Sequence, residues 1–591
     1  MKTDEKLCKL RESMKKNKIP VYMTTISDPH QSEYVSDCFN SLKWLSGFTG
    51  SQATMVVTLN ESGIWVDGRY HIQAEEQLAD TEVKVFKMGK DKVLSVGDWL
   101  KENIECGSTI GFNGELFSQK RIDDIKEKLK GTNFTLDGGC DFLEQVWEDR
   151  PKIIFNEIFL HDIKYCGKSA QQKISDVRDD MDKKLVDSTI ISSLDDIAWL
   201  FNIRSSDIPN NPVAMAYAVI TGKDAVLFIN KDSLTSEADD YLKEQGVLVY
   251  DYEYFFEYLS KLPKGSKVYL DYNRINFKIY NEVEKLCEIQ KGTNITTILK
   301  AIKNDVEIKN LRNCQIRDGV AMVNFLHWLD QNVANKNVTE ISAAQKLREF
   351  RAEQDYFEGS SFDSISAFAE HAAMMHYQAT KDSDYTLEGD GFYLIDSGGQ
   401  YLDGTTDITR TVPIGILSEQ QKRDYTLVVK GHIALCKAQF LYGATGSNLD
   451  VLARQAMWEQ GIDYKCGTGH GIGYFLNVHE GPQGFSSASH VKLEENMVTT
   501  VEPGVYRENS HGIRIENTVV AKKAEKTEFG QFMTFETISL CLISKLPINK
   551  DMLTSEEILW YNNYHKMVYD KLSPYLEEDV KKWLKEETSA I

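Results

Sequence analysis

The segment GFYLIDSGGQYLDGTTDITRTV at residues 391–412 decides how the last third of this chain folds. Its first half alternates side chains as a strand does, yet the alternation ends on Asp396, a residue type that strands disfavour. A Gly-Gly pair and an Asp-Gly pair then predict two turns before the chain returns. We therefore expect Asp396 to meet Asp407 from a neighbouring strand.

Turn capping is the alternative role for each of these aspartates, because Asp is common in turns. This role suits Asp403 best, since Gly404 follows it. We expect Asp403 to support the neighbouring carboxylates without itself acting as a ligand.

Two histidines lie in the segment GTGHGIGYFLNVHEGP at residues 467–482. A lone histidine is more often structural, but glycines on both sides of His470 let backbone approach closely. We expect His470 to be a metal ligand because carboxylates of matching chemistry accompany it. His479 fits better as a donor to a substrate carbonyl.

Two glutamates complete the set. MVTTVEPG (497–504) predicts a strand that ends at Glu502, and HGIRIENTVV (511–520) predicts one strand with Glu516 on its polar face. Either glutamate alone would be read as part of a solvated strand face. Four carboxylates and one imidazole together suit two hard divalent cations, which can make water a nucleophile at neutral pH. The sequence therefore predicts a hydrolase.

Length and composition limit the number of domains, the kinds of partner and the cellular location that we expect. A chain of 591 residues exceeds one hydrophobic core, so two to four domains are expected. The net charge of -21 makes nucleic acid and anionic membranes poor partners. The N-terminal residues lack the apolar run of a signal peptide, and the ten cysteines form no CxxC pair. We expect reduced thiols and a cytoplasmic location.

The first two blocks of the chain look like distant copies of one unit. ATMVVTLNESGIWVDGRY (53–70) and AYAVITGKDAVLFIN (216–230) both predict strand, turn and strand, and helical patterns follow each. We place the turns at Asn60–Gly63 and Gly222–Lys223. Each block predicts a layered α/β domain. The third block begins with long helices, and later helices are expected at 419–440, at 447–460 and in the tail.

These motifs resemble the pita-bread metallopeptidases of family M24, and along nearly the whole chain they resemble the three-domain cytosolic aminopeptidase P, or Xaa-Pro aminopeptidase, family. The further segments that carry the resemblance are DPHQSEY (28–34), LSGFTGS (45–51), SLDDIAWLFNIRSSDIPNNPVAMAYAVI (193–220) and EPGVYRENSHGIRIEN (502–517). The resemblance implies an α/β (α+β) fold. Two creatinase-N-terminal-like α/β domains, at 1–149 and 150–299, would precede a pita-bread catalytic domain at 300–591 with a C-terminal helical extension.

The resemblance also implies the reaction and the residues that perform it. Such enzymes hydrolyse the bond between any N-terminal residue and a penultimate proline, with a hydroxide activated by two divalent metal ions, usually Mn²⁺. Glu502 would also shuttle protons, and Asp407 and Glu516 would contact both ions. The implied metal ligands are Asp396, Asp407, His470, Glu502 and Glu516. The other implied site residues are His376 and His479, as catalytic groups, with Tyr506 and Arg514 near the substrate.

One segment departs from the pattern of this family. FAEHAAMMHYQAT (368–380) has alanines where relatives usually carry more glycine, and it adds Glu370 and His371 near an expected substrate wall. We interpret His371 as incidental, and we expect the segment to alter details of the substrate subsites.

Partners and alternatives follow from the same resemblance. We expect peptides with proline at position two as substrates and a homodimer as the assembly. The C-terminal helices could supply the dimer surface or could cap the third domain, through Trp560, Tyr561, Tyr564 and Val568. Two other functions remain open: a prolidase-type Xaa-Pro dipeptidase, and a catalytically dead binding protein, which would have lost ligands that this chain retains.

Overall fold

The computed structural model describes all residues, 1–591, and the chain divides into two compact units. Met1–Ile163 and Lys168–Ile298 form the first unit, whereas Lys164–Gly167 and Leu299–Ile591 form the second. None of the helices is both long enough and apolar enough to span a bilayer.

The first unit contains two six-stranded mixed sheets. The strands of the first sheet are β1 (Val21–Thr25), β2 (Thr54–Thr58), β3 (Ser62–Val66), β4 (Val83–Lys87), β5 (Thr109–Phe112) and β6 (Thr135–Asp137). The next strands are β7 (Phe159–Leu160), β8 (Ser188–Ile191), β9 (Ile203–Arg204), β10 (Ala216–Thr221), β11 (Ala225–Ile229), β12 (Val247–Asp251), β13 (Lys267–Leu270) and β14 (Glu288–Lys291). β7 pairs with β9, and the other six form the second sheet.

The two sheets have the same topology. Their orders are β4-β3-β2-β1-β5-β6 and β12-β11-β10-β8-β13-β14. In both sheets the central strand is antiparallel to one neighbour and parallel to the other, and the outermost strands are parallel additions. The predicted internal repeat is therefore confirmed.

One of the two predicted hairpin turns agrees with the structure, and the other differs from it. The β10–β11 turn spans residues 222–224, as predicted. The β2–β3 turn spans residues 59–61, whereas Asn60–Gly63 was predicted, because Ser62 and Gly63 lie inside β3. A Cβ at Gly63 would lie 2.6 Å from the ring of Phe86, which stacks on Trp65, so this glycine accommodates an aromatic pair across the sheet.

Helices cover these sheets and bury apolar side chains against them. Leu7 and Leu10, for example, pack with Met55 and Ile64 in the core of the first sheet. The helices are α1 (Thr3–Lys16), α2 (Ser41–Ser46), α3 (His71–Leu78), α4 (Val96–Asn103), α5 (Gln119–Lys128), α6 (Phe142–Val146), α7 (Ile163–Cys166), α8 (Ala170–Lys184), α9 (Leu194–Phe201), α10 (Ser236–Glu244), α11 (Phe255–Leu259), α12 (Phe277–Glu284) and α13 (Ile295–Ala301).

The helices of the second unit agree with the sequence pattern. They are α14 (Asp305–Asn332), α15 (Glu340–Ala352), α16 (Glu419–Cys436), α17 (Gly446–Trp458), α18 (Ser555–Leu572) and α19 (Glu578–Glu587). The longest of them, α14, starts where the side chain of Asn304 accepts hydrogen bonds from the backbone N–H groups of Val306 and Glu307.

Four sheets make up the strand part of the second unit, with orders β15-β18-β19, β16-β17-β20, β21-β28-β27-β24-β22-β23 and β25-β26. Their strands are β15 (Phe357–Ser360), β16 (Ile365–Phe368), β17 (Gly391–Ser397), β18 (Gly399–Tyr401), β19 (Gly404–Thr405), β20 (Ile408–Ile414), β21 (Gln439–Leu441), β22 (Gly469–Gly471), β23 (Glu480–Phe485), β24 (Val498–Val501), β25 (Gly504–Arg507), β26 (His511–Arg514), β27 (Asn517–Thr527) and β28 (Gly530–Thr537).

The prediction of one strand over 511–520 is wrong. β26 ends at Arg514 and β27 begins at Asn517, and the two strands belong to different sheets. The chain changes sheet there because the backbone N–H of Glu516 donates to Thr409 O over 3.1 Å, outside both ladders. The change of sheet leaves Glu516 at a corner of the chain.

The C-terminal helices complete the core of the second unit. Tyr561, Tyr564 and Val568 of α18 are buried in the main hydrophobic cluster of this unit, and Trp560 packs against it. The prediction that these residues form a dimer surface is wrong for the three buried side chains, because they already contact their own chain. The alternative prediction, that this tail caps the third domain, agrees with the packing.

Candidate active site

Five side chains with metal-binding chemistry lie in or next to strands of the second unit. Asp396 is the last residue but one of β17, and Asp407 directly precedes β20. His470 is the central residue of β22, Glu502 directly follows β24, and Glu516 directly precedes β27. The register of the ladders therefore fixes the backbone position of every candidate ligand.

The imidazole and three of the carboxylates lie close enough to share cations. His470 Nε2 lies 3.4 Å from Asp407 Oδ2 and 3.5 Å from Glu502 Oε1. Potential ligand atoms of Asp407, His470 and Glu516 all lie within 4.8 Å of one another. The structure thus brings together residues that are separated by more than a hundred positions in the sequence.

Asp396 is joined to this cluster by Thr409 and Arg514. Thr409 lies opposite Asp396 in the β17–β20 ladder, and its hydroxyl donates to Glu516 Oε2 over 2.7 Å. Arg514 donates to Asp396 Oδ2 from Nη2 at 2.6 Å and from Nε at 3.1 Å, and to Tyr506 OH at 2.8 Å. This buried ion pair holds the Asp396 carboxylate in one orientation.

The pKa values of the cluster are shifted because its carboxylates are buried close to one another. Burial raises the pKa of Asp396 to about 6, and the charges of Asp407 and Glu502 act in the same direction. Burial and the same neighbours raise the pKa of Glu516 well above its usual range. Burial lowers the pKa of His470, but the Asp407 and Glu502 carboxylates outweigh burial and raise this pKa to about 9. All three shifts have the sign expected of a site that needs added positive charge.

Unsatisfied atoms in the cluster fit metal ions. Asp396 Oδ1 and Glu516 Oε1 are buried without a hydrogen-bond partner, although buried polar atoms normally have one. The His470 Nδ1–H donates to Gly471 O over 2.9 Å, which leaves the lone pair of Nε2 available to a cation. Four carboxylates and one imidazole with such free atoms fit two hard divalent cations.

The glycines beside His470 are required by close backbone contacts. A Cβ at Gly469 would lie 2.0 Å from Thr500 O, and a Cβ at Gly471 would lie 2.2 Å from Glu480 O. Side chains at these positions would force β22 away from its neighbours. The glycines therefore keep His470 near Asp407 and Glu502.

Family models cover nearly the whole chain. Two models of the creatinase/prolidase N-terminal domain match residues 6–137 and 149–307, the metallopeptidase family M24 matches 309–523, and the C-terminal region of peptidase M24 matches 531–591. A probable Xaa-Pro aminopeptidase P of Pyricularia oryzae is 39% identical over 611 aligned residues, which cover 99% of each chain. The chain belongs to the Xaa-Pro aminopeptidase P family.

Further similarities agree with membership of this family. A probable Xaa-Pro aminopeptidase P of Neosartorya fischeri is 38% identical, over 100% of this chain and 93% of its own length. An X-prolyl aminopeptidase of Caenorhabditis elegans, described as a cytosolic enzyme with a di-nuclear active site, superposes with a TM-score of 0.95 at 34% identity over 100% of both chains. The predicted family, fold class and metallopeptidase class are therefore confirmed.

The two candidate catalytic histidines of this aminopeptidase P family member lie beside the ligand cluster. The rings of His479 and His470 are perpendicular, with centroids 4.3 Å apart. His376 is half-buried and follows Met375, whose carbonyl oxygen lies 3.4 Å from Arg514 Nη2, the donor that also holds Asp396. The His479 ring therefore contacts a predicted ligand, and the backbone next to His376 lies near the arginine that holds another.

The sequence reasoning missed two buried side chains that hold the ligand-bearing backbone. Arg410 donates to the backbone oxygens of Thr409 and Glu516. His432 donates from Nδ1 to Val501 O over 3.2 Å and accepts from Asn517 Nδ2 over 3.0 Å, so it links the two strands that carry the glutamate ligands. Arg410 could have been noticed because it is an arginine inside the ligand motif at 391–412. His432 lies in a predicted helix, and no motif there marks it.

Two smaller predictions have different outcomes. Asp403 lies in the β18–β19 turn and forms an ion pair with Arg317 of α14. His371 was interpreted as incidental, and that interpretation is wrong. The His371 side chain is buried and hydrogen-bonded to the carboxylate of Glu340, because the start of α15 lies directly against its segment.

Proposed function

We propose that this protein is a metalloaminopeptidase that hydrolyses the bond between an N-terminal residue and a penultimate proline. The observation that carries the proposal is the clustering of candidate ligand atoms of Asp407, His470 and Glu516 within 4.8 Å of one another, with one buried carboxylate oxygen of Glu516 and one of Asp396 lacking a hydrogen-bond partner. Membership of the Xaa-Pro aminopeptidase P family supports the choice of substrate. A binding protein on the same fold would not need to retain every ligand.

We propose that Asp396, Asp407, His470, Glu502 and Glu516 hold two divalent cations, with Mn²⁺ as the native metal. When bound, the cations would supply the Lewis acidity that makes a shared water nucleophilic at neutral pH. The oxygen-rich donor set supports a hard cation such as Mn²⁺ over a thiolate-seeking one.

Glu502 is proposed as the group that moves the proton. Its side chain is 20% exposed, against 5% for Asp407 and 10% for Asp396, so it is the carboxylate of these three that substrate and water reach most easily. Thr500 Oγ1 lies 3.3 Å from Glu502 Oε1 and can orient this oxygen. Glu502 would take the proton of the attacking water and deliver it to the proline nitrogen, which has no N–H of its own in the peptide.

His376 and His479 are proposed as the donors that stabilise the oxyanion formed on the scissile carbonyl. Arg514 is proposed to orient Asp396, since its guanidinium is buried and paired with that carboxylate. Tyr506, which accepts a hydrogen bond from Arg514, is proposed to line the substrate side of the same pair.

We also propose domain boundaries, an assembly and a location for this chain. The divisions 1–149, 150–299 and 300–591 are supported by the family models at 6–137, 149–307 and 309–523. A homodimer and a cytoplasmic location are proposed, the latter supported by the relative from Caenorhabditis elegans that is described as cytosolic.

The test is hydrolysis of Arg-Pro-Pro by purified protein after chelator treatment, with Mn²⁺, Co²⁺ or Zn²⁺ restored at equal free concentration. We expect Mn²⁺ to restore arginine release best and Glu502→Gln to lower kcat by about 100-fold or more. Arg-Ala-Pro is the control peptide, and its first bond should remain intact.

The other functions predict different results. Faster hydrolysis of the dipeptide Ala-Pro than of Arg-Pro-Pro would indicate a prolidase. No hydrolysis with any cation, by protein that is folded and metal-loaded, would refute the peptidase proposal in favour of a binding protein.

A further inference from the structure

Glu340, the first residue of α15, is a buried carboxylate that collects hydrogen bonds from the segment between β16 and β17. Its Oε1 accepts from the backbone N–H of Phe368 over 2.7 Å and from His371 Nδ1 over 2.9 Å. Its Oε2 accepts from Tyr377 OH over 3.0 Å and from the backbone N–H of Tyr385 over 3.1 Å. One carboxylate therefore holds the end of β16 and three points of the segment that follows it.

The His371 ring is fixed by stacking as well as by this hydrogen bond. Its centroid lies 3.8 Å from that of Tyr385 at an interplanar angle of 29°, and 4.4 Å from that of Tyr377 at 26°. A ring packed against two aromatic rings and bonded to a buried carboxylate has one accessible orientation. We call Glu340, His371, Tyr377 and Tyr385 the Glu340 clamp.

The clamp fixes the chain on both sides of His376. His371 and Tyr377 lie on either side of it in the sequence, and both side chains bind Glu340. Between them, Ala372 packs so closely on β26 that a Cβ at Gly512 would lie 1.7 Å from Ala372 O. Next to His376, the Met375 carbonyl oxygen lies 3.4 Å from Arg514 Nη2, so the backbone that carries His376 lies against the residue that holds Asp396.

The backbone of this segment does not favour the observed conformation by itself. Ala369 has φ of 53°, a left-handed conformation that is unfavourable for an alanine. Such a conformation persists only where surrounding contacts determine it. The bond from the Phe368 N–H to Glu340, directly before Ala369, is one such contact.

We propose that Glu340 and His371 are positioning residues for catalysis: they fix segment 369–377 and thereby place the ring of His376 at the scissile carbonyl. This inference rests on the proposed catalytic role of His376. Glu340 and His371 do not themselves touch the substrate, and they act through the position of His376.

A double-mutant cycle on the metal-loaded enzyme tests the proposal, with Arg-Pro-Pro as substrate. His371→Phe keeps an aromatic ring but removes the donor to Glu340, and we expect kcat to fall about 10-fold or more with KM and bound metal unchanged. His371→Gln restores an N–H donor and should recover part of this loss. His376→Ala should lower kcat by about 100-fold.

The double variant separates positioning from general damage. If His371 acts through His376, adding His371→Phe to His376→Ala should change kcat by less than about 2-fold. His327→Phe, on the half-buried face of α14, is the matched control and should retain full activity. If His371→Phe does not fold, Tyr377→Phe removes another bond to Glu340 and enters the same cycle.

The outcomes distinguish the inference from the proposed function. Wild-type kcat in His376→Ala would overturn the role of His376 and the positioning inference with it. A large loss in His376→Ala combined with wild-type kcat in His371→Phe, or with losses that multiply in the double variant, would overturn the positioning inference alone.

Discussion

Replacement of Arg410 by lysine should weaken both the fold and the metal site. The buried guanidinium donates to the backbone oxygens of Thr409, Glu516, Cys541 and Leu542 over 2.5–2.8 Å. It also donates to Asn517 Oδ1 at 2.8 Å and to Tyr564 OH at 3.0 Å. None of these six acceptors is a carboxylate, so the role of Arg410 is to tie β20, the Glu516 corner and the C-terminal segment together.

The expected magnitude follows from counting donors. A lysine ammonium has three N–H donors, so at least three of the six buried hydrogen bonds made by Arg410 would be lost. At about 1 to 1.5 kcal/mol for each lost hydrogen bond, Arg410→Lys should destabilise the protein by about 4 kcal/mol. For a domain of this size that corresponds to a fall in Tm of about 10 °C. Loss of the bond to the Glu516 carbonyl should also weaken metal binding by about 10-fold.

Calorimetry of metal-free protein measures the fall in Tm, and titration against a competing chelator measures metal affinity. Arg348→Lys, an exposed substitution on α15, is the control and should leave both quantities unchanged. A Tm within about 2 °C of the wild type, together with unchanged metal affinity, would show that the Arg410 bonds are not needed to hold the Glu516 corner.

Three further predictions concern single residues. Glu516→Gln should reduce bound metal below two ions per chain and lower kcat by at least about 100-fold, as metal analysis and Arg-Pro-Pro hydrolysis would show. Burial lowers the pKa of His565 to about 4, so the folded state resists its protonation and stability should fall as pH drops from about 6.5 to 4, by about 3 kcal/mol in total. The Tm difference between pH 7.5 and 5 should be smaller in His565→Gln, and an equal difference in both proteins would refute this assignment. Gly512→Ala should displace Ala372 and lower kcat without loss of metal, whereas Gly222→Ala, which meets no atom within 4 Å, should change neither.

Local patterns in the sequence were sufficient for much of this fold. Alternation and turn residues predicted the two strand–turn–strand units, and the structure confirms that they belong to sheets of identical order. Helical spacing predicted α16, α17 and the tail, because amphipathic periodicity depends on near neighbours alone. Asp396 was recognisable because a carboxylate after an apolar run departs from what a strand requires, and the other four candidate ligands were recognisable because their motifs accompany it.

What the sequence did not predict depends on contacts between distant residues. HGIRIENTVV has the pattern of one strand, and the change of sheet at Glu516 is decided by a bond to Thr409, more than a hundred residues earlier. His371 has no local partner that marks it, because Glu340 approaches from the start of a different helix. Tyr561 and Tyr564 look like an exposed aromatic pair until the core that they enter is known.

Both carboxylate pairs of the ligand cluster lie at the neck of a hairpin. Asp396 and Asp407 lie beside the Ser397–Ile408 pair of the β17–β20 ladder. This pair closes the base, or neck, of the β18–β19 hairpin. Glu502 and Glu516 both lie on the hairpin side of the β25–β26 neck, whereas in the first pair Asp407 lies on the hairpin side and Asp396 lies on the outer side, opposite Thr409.

The Val501–Asn517 pair of the β24–β27 ladder closes this second neck, and His432 bonds to both members of the pair. At a neck, the register of the outer strands sets the separation of the two carboxylates. A slip of one residue in either outer ladder would turn a ligand pair away from its partners. The buried bonds of Arg410 and His432 oppose such a slip, so these residues belong to the metal site although neither offers an atom to a metal.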